Sequence, residues 1–215
     1  MLLDKQLIAD SNSKALAAHQ RKFNFTAEGI ANVEDIIKKL MAFQVAIPSW
    51  ALGTGGTRFG RFPGAGEPGS LEEKIEDVGL LHALNDSSGA ISLHIPWDIP
   101  TDANAIKALA AQHGLLFDAV NSNTFQNQPN QKESYKFGSL QHVDKAVRKQ
   151  AIQHNIEVIK HGVDLGSRSL TVWLADGSCF PGQLNFRRAF ENTLEGLHEI
   201  YAALPVDWKV FVEYK

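Results

Sequence analysis

Apolar positions along the chain keep two different rhythms. Leu7, Ile8, Ala15, Leu16 and Ala18 mark a helix within residues 1–22. Val33, Ile36, Ile37, Leu40 and Met41 mark another within 26–42, with Lys38 and Lys39 on the opposite face. From there short β-branched and aromatic runs take over at 43–50, 91–95, 115–120, 169–173 and 209–212, and these predict strands. Between the strands helical spacing returns at 70–84, 101–113, 143–165 and 185–203. Ser70-Leu71-Glu72-Glu73 has the form of a capping box, and Gly114 and Gly166 stand where helices stop. Segments 53–69 and 121–141 are too rich in glycine, proline and polar residues for regular structure.

The order is two helices, then strand and helix four times, then a fifth strand. Alternation of this kind makes a parallel sheet with right-handed crossovers. An open dinucleotide-binding sheet needs a glycine-rich turn that opens a helix after the first strand. Gly53-Thr54-Gly55-Gly56 follows the first strand, but Arg58, Phe59, Pro63 and Pro68 come next instead of a helix. A Walker A loop is absent as well. The expected fold is therefore α/β, the N-terminal part of a (β/α)8 barrel with about five parallel strands. Residues 1–42 would form a helical segment before it, and 43–215 the partial barrel.

Composition narrows the classes. The chain has 215 residues, 44% hydrophobic and 21% charged, which suits one globular unit. A net charge of −3 leaves no basic footprint for nucleic acid. No apolar run is long enough to span a bilayer, and the first residues lack the apolar stretch of a secretion signal. The single cysteine, Cys179, excludes an internal disulfide and suits a reducing compartment, so a cytoplasmic protein is expected. Cys179 has no activating neighbour in sequence and is read as incidental.

Candidate chemistry collects at the strand C-termini, where a barrel places its active site. Trp50 closes the first strand and His94 the second, with Trp97 and Asp98 just beyond. Asn121 and Asn123 close the third, and Trp173 and Asp176 the fourth. Glu213 and Lys215 end the fifth. They lie two apart, so on a strand they aim at one point. A carboxylate can ligate a divalent cation, and an adjacent ammonium can bind a polarised oxygen. Each residue also has a plainer reading. The tryptophans could be packing, His94 a hydrogen-bonded strand end, the asparagines turn formers, and Glu213 with Lys215 a surface ion pair. Three of the four tryptophans nevertheless fall on the mouth side of strands, at their C-terminal ends, as walls for a small ligand would.

The segments Ile47-Pro48-Ser49-Trp50, Gly53-Thr54-Gly55-Gly56-Thr57-Arg58-Phe59, Ser92-Leu93-His94-Ile95-Pro96-Trp97-Asp98, 117–125, Leu170-Thr171-Val172-Trp173 and Asp176-Gly177-Ser178 resemble the bacterial L-rhamnose isomerases of relaxed sugar specificity. Trp50, Phe59, His94, Trp173 and Glu213-x-Lys215 are more distantly similar to the xylose isomerases. The resemblance implies a metal-dependent (β/α)8 barrel that interconverts aldose and ketose, L-rhamnose and L-rhamnulose, usually as a homotetramer. It implies two divalent metals per complete site, Mn²⁺ foremost, with Mg²⁺ or Co²⁺ as alternatives. It casts Glu213 as a metal ligand, Lys215 and His94 as catalytic groups, and Trp50, Phe59, His94, Trp173 and Lys215 as sugar contacts. Phe59 would reach a neighbouring subunit's site, and 53–69, with Arg58, Phe59 and Phe62, is expected to form an intersubunit arm.

The chain departs from the resemblance in length. Between Trp50 and Glu213 strand ends recur about every forty residues, and an eight-stranded barrel needs three more units. An N-terminal half, inactive by itself, is the expectation. Two alternatives stay open: a non-catalytic sugar-binding module, and another isomerase or epimerase of xylose-isomerase type.

Overall fold

The computed structural model describes residues 4–22, 33–53, 65–174, 176–177 and 182–214. Two helices come first, α1 (Lys5–Lys22) and α2 (Val33–Met41). The sheet strands are β1 (Ala46–Pro48), β2 (Ala90–Ile95), β3 (Leu116–Ser122), β4 (Ser169–Leu174) and β5 (Lys209–Tyr214). Between them run α3 (Leu71–Asn85), α4 (Ala103–Gln112), α5 (Lys145–Leu165) and α6 (Phe186–Ala202). Every pairing is parallel, and the spatial order β1-β2-β3-β4-β5 is the chain order. This is the partial barrel that the alternation predicts.

Helix starts follow their capping residues. Ser70 Oγ accepts from the Glu73 N–H at 3.2 Å, while Glu73 turns its carboxylate to Gly69 N–H rather than to the cap itself. Asp102, Asp144 and Asn185 cap α4, α5 and α6 with side-chain oxygens. Gly166, at φ +87°, ends α5 in the left-handed region.

Two apolar clusters pack the helices onto the outer face of the sheet. Ile75 and Val78 of α3 and Ile106 of α4 meet Ile91 and Leu93 of β2. Ile152, Val158 and Ile159 of α5 meet Ile95, Val120, Leu170 and Val172, with Ile200 of α6. Each such side chain contributes about 1.5–3 kcal/mol by leaving water. α5 lies close to β3 because Gly162 permits it: a Cβ there would sit 2.8 Å from Val120 Cγ2 and 2.7 Å from Trp208 Cη2.

Strand alternation then assigns the inner face. With 91, 93, 120, 170, 172 and 210 directed at the helices, Ser92, His94, Asn121, Thr171, Trp173, Phe211 and Glu213 lie opposite. A register shift between Ile91 and Leu93 matters here. Ile91 pairs Phe117, yet Leu93 pairs Val120, so β3 carries one extra residue. The bulge brings Asn121, instead of Val120, beside His94.

Two sequence expectations change. The first strand is three residues long, and Trp50 stands in a 3-10 turn, Ser49–Ala51, just past it. Asn121 is a strand residue, not a turn former.

Candidate active site

The site grows from the strand C-termini. His94, buried at the end of β2, lies at the centre of a set of rings. Its imidazole centroid is 5.3 Å from Trp50, 4.4 Å from Trp97, 5.7 Å from Phe125 and 5.5 Å from Trp173. Trp50 meets Trp173 edge-on at 5.9 Å and 89°, and Phe125 meets Trp173 at 5.3 Å. Edge-to-face and tilted contacts at these separations are favourable for aromatic pairs. The three tryptophans of the strand ends, Phe125 and His94 thus form one aromatic cluster.

Asn121 ties the aromatic cluster to the sheet. Its Nδ2 donates to the carbonyls of Leu93 at 3.0 Å and Ala119 at 3.2 Å, and its Oδ1 accepts from Trp173 Nε1 at 3.1 Å. Thr124 Oγ1 donates to the Trp173 carbonyl at 2.9 Å. Trp173 is therefore held by indole and backbone alike. Behind the strand ends, His154 Nε2 accepts from Asn123 N–H at 3.1 Å, and the imidazole also bonds the backbone of Ile95. Burial pushes the His154 pKa down, against the opposing pull of Glu157 and the Ile95 bond. Its neutral form is the one that can accept from Asn123. The Asn123 side chain is fully buried, and neither of its amide atoms has a hydrogen-bond partner among the described residues.

Asp98, Ser49 and Lys74 form a buried polar group beside the aromatic cluster. Lys74 Nζ lies 2.7 Å from Asp98 Oδ1. Asp98 Oδ2 accepts from His94 N–H at 2.8 Å and from the Ser49 hydroxyl. Lys74 was not singled out by sequence reading. The available signal was its place on the core stripe of α3, between Leu71, Ile75 and Val78, where a lysine needs a buried carboxylate.

Asp176 has a different task. Its carboxylate accepts from Ser139 N–H, from Ser139 Oγ at 2.8 Å and from Leu140 N–H at 3.2 Å. It pins the long segment between β3 and α5 to the end of β4. Burial pushes its pKa up, and the hydrogen bonds from Ser139, Leu140 and Gln141 pull it part of the way back. Gly138 makes room for this anchor, since its φ is +111° and a Cβ would fall 2.6 Å from Asp176 Oδ1.

Of the sequence-predicted site residues, Trp50, His94 and Trp173 come together. Glu213 stands next to Trp173 in register, on an exposed stretch of β5. Lys215, Phe59 with its proposed arm partners Arg58 and Phe62, and Cys179 lie outside the described residues. No three His, Cys, Asp or Glu side chains converge among the described residues. Glu213 is one carboxylate, and one monodentate oxygen does not hold a divalent ion, so the described residues do not by themselves make a metal centre.

No family model matches the chain. It is 46% identical over 219 aligned positions to a probable sugar isomerase of Rhizobium meliloti, covering 100% of this chain and 51% of that protein. It is 55% identical over 187 residues to a probable sugar isomerase of Mesorhizobium japonicum, covering 87% of this chain and 43% of that one. The chain spans about half the length of these curated relatives. Among solved structures, a D-allulose 3-epimerase of Methylomonas sp. superposes with a TM-score of 0.53 at 12% identity, over 79% of this chain and 50% of that one. An L-ribulose 3-epimerase gives 0.50 at 16%, over 78% and 48%. Five parallel strands with flanking helices thus form part of a barrel of the kind these epimerases have, in a chain similar throughout its length to probable sugar isomerases.

Proposed function

We propose that this chain supplies the sugar-facing half of an aldose–ketose isomerase whose substrate is L-rhamnose, with tolerance for related sugars. The observation that carries the reading is the aromatic cluster at the strand ends, with Trp50, His94 and Trp173 in contact and Glu213 one strand away. Identity of 46% to a probable sugar isomerase supports the reaction class. The L-rhamnose assignment rests on the motif resemblance.

Sugars offer apolar C–H faces and a ring of hydroxyls. Indole walls at Trp50 and Trp173 suit the former and exclude water from the reacting carbons. His94 is assigned to hydrogen-bond a sugar oxygen and move a proton during ring opening. Lys215 follows Glu213 by two positions and is assigned the O1 contact, where negative charge develops. Glu213 is assigned as one ligand of a divalent metal, Mn²⁺ foremost, whose further ligands come from outside the described residues. When bound, such an ion would stabilise charge on the oxygens of C1 and C2.

The test joins this chain to the second half of the Mesorhizobium relative and assays L-rhamnose isomerisation. Turnover should vanish with EDTA and return with Mn²⁺. Glu213→Gln should weaken metal binding, whereas Lys215→Met should keep the metal and lose turnover. Undiminished turnover after metal removal overturns the metal assignment. Conversion of other aldoses without L-rhamnose overturns the substrate assignment.

A further inference from the structure

We infer that Asp98, with Lys74 as its charge partner, is a positioning residue that sets the approach of Trp50 to His94. The inference depends on the sugar-site reading only for its last readout.

Trp50 and His94 come from separate strand ends, 44 positions apart, and neither strand pairing fixes their mutual angle. Asp98 touches both supports. One oxygen, Oδ2, accepts from the His94 N–H and from the hydroxyl of Ser49, the residue before Trp50. The other, Oδ1, takes Lys74 Nζ at 2.7 Å. The lysine reaches in from the core side of α3, and both members of the pair are buried. A single carboxylate therefore clamps the 3-10 turn that carries Trp50 to the strand end that carries His94. The pair is not explained as a stability device. Buried ion pairs are replaceable by apolar residues of similar volume with little loss, while removing one partner alone strands a charge. What apolar replacements cannot supply is an acceptor shared by Ser49 and His94.

The experiment compares two double variants and one single variant of the 215-residue chain. Lys74→Met with Asp98→Leu removes charge and acceptor together. Lys74→Met with Asp98→Asn removes the charge and keeps an amide oxygen for His94 N–H. Ser49→Ala removes one arm of the clamp and is small enough to leave the core in place. The readouts are thermal melting, the exciton-coupled circular dichroism of the Trp50–Trp173 pair, and L-rhamnose titration by tryptophan fluorescence. The Leu variant should melt cooperatively, lose the tryptophan couplet and bind sugar at least tenfold more weakly. The Asn variant should recover both signals. Ser49→Ala should weaken the couplet without changing the melt. If the couplet of Ser49→Ala matches wild type, the clamp is wrong, whether or not the Leu variant folds. If the Leu variant folds and keeps the couplet, it is equally wrong. If wild type shows no sugar response while the couplets change as stated, the sugar reading fails and the clamp stands.

Discussion

Asn123 carries two hydrogen-bonding situations in one residue. Its backbone N–H finds His154 Nε2 at 3.1 Å, while its buried amide finds no partner among the described residues. An unpaired buried amide opposes folding by about 1–3 kcal/mol. Asn123→Leu should therefore raise the unfolding free energy by a similar amount, read by urea denaturation, and weaken sugar binding if the amide serves a hydroxyl. A stability loss instead would mean that the amide is paired in solution. His154 makes the same strand end pH-sensitive. Its folded pKa lies below its ordinary value because burial disfavours the imidazolium. As pH falls past about 6.5 the unfolded chain takes the proton first, so stability is full above that pH and declines below it, until the folded pKa is passed. The slope from this one group cannot exceed about 1.4 kcal/mol per pH unit. His154→Gln, which can still accept from Asn123, should flatten the difference between pH 7.5 and 5.5 in denaturant titrations.

At the scale of elements, the segment between β3 and α5 hangs on Asp176. Gly138→Ala places a methyl against that carboxylate at a φ that alanine resists. It should cost about 1–3 kcal/mol and open the segment to limited proteolysis before the sheet unfolds. Equal cleavage in variant and wild type would show that Asp176 does not secure it. Element positions were largely legible in advance, because strand runs and helical stripes are local signals. Three features were not. The first strand gives way at its end to a 3-10 turn whose Ser49 hydroxyl is bonded to Asp98, a contact between residues far apart in the chain. The β3 bulge reverses which of its side chains face inward, so strict alternation from Phe117 would have put Asn121 on the wrong face. Lys74 lies on the buried stripe of α3, and only its tertiary partner Asp98 accounts for it there. The aromatic half of the site was readable from strand ends alone. Its polar underside depends on tertiary pairing.

At the scale of the whole molecule, the flank formed by α6 and β5 is uncovered among the described residues. Phe186, Phe190, Leu194 and Tyr201 run along the outside of α6, and Phe211 and Val212 are exposed on β5. Patches of large apolar side chains beside an open strand edge favour association. The 215-residue chain should self-associate at micromolar concentration in sedimentation velocity, and Phe190→Lys should reduce this. Supplying the second half of the Mesorhizobium relative as a separate polypeptide should yield a co-purifying complex that protects α6 from hydrogen exchange. A strictly monomeric chain with no affinity for that half would argue for a self-sufficient unit.

Chain order and spatial order coincide in the sheet. During synthesis on the ribosome, each new strand can dock on the edge left by the one before it, and none waits for a distant partner. Each closure spans one strand–helix unit, so assembly can be stepwise, although parallel pairing across a helix is slower than hairpin formation. The aromatic cluster does not follow that schedule. Trp50 emerges early, Asp98 joins it later, and Trp173 arrives only after α5 has been made. Until then the nascent chain carries a half-built wall of rings facing water, and a chaperone would have most to shield in that interval.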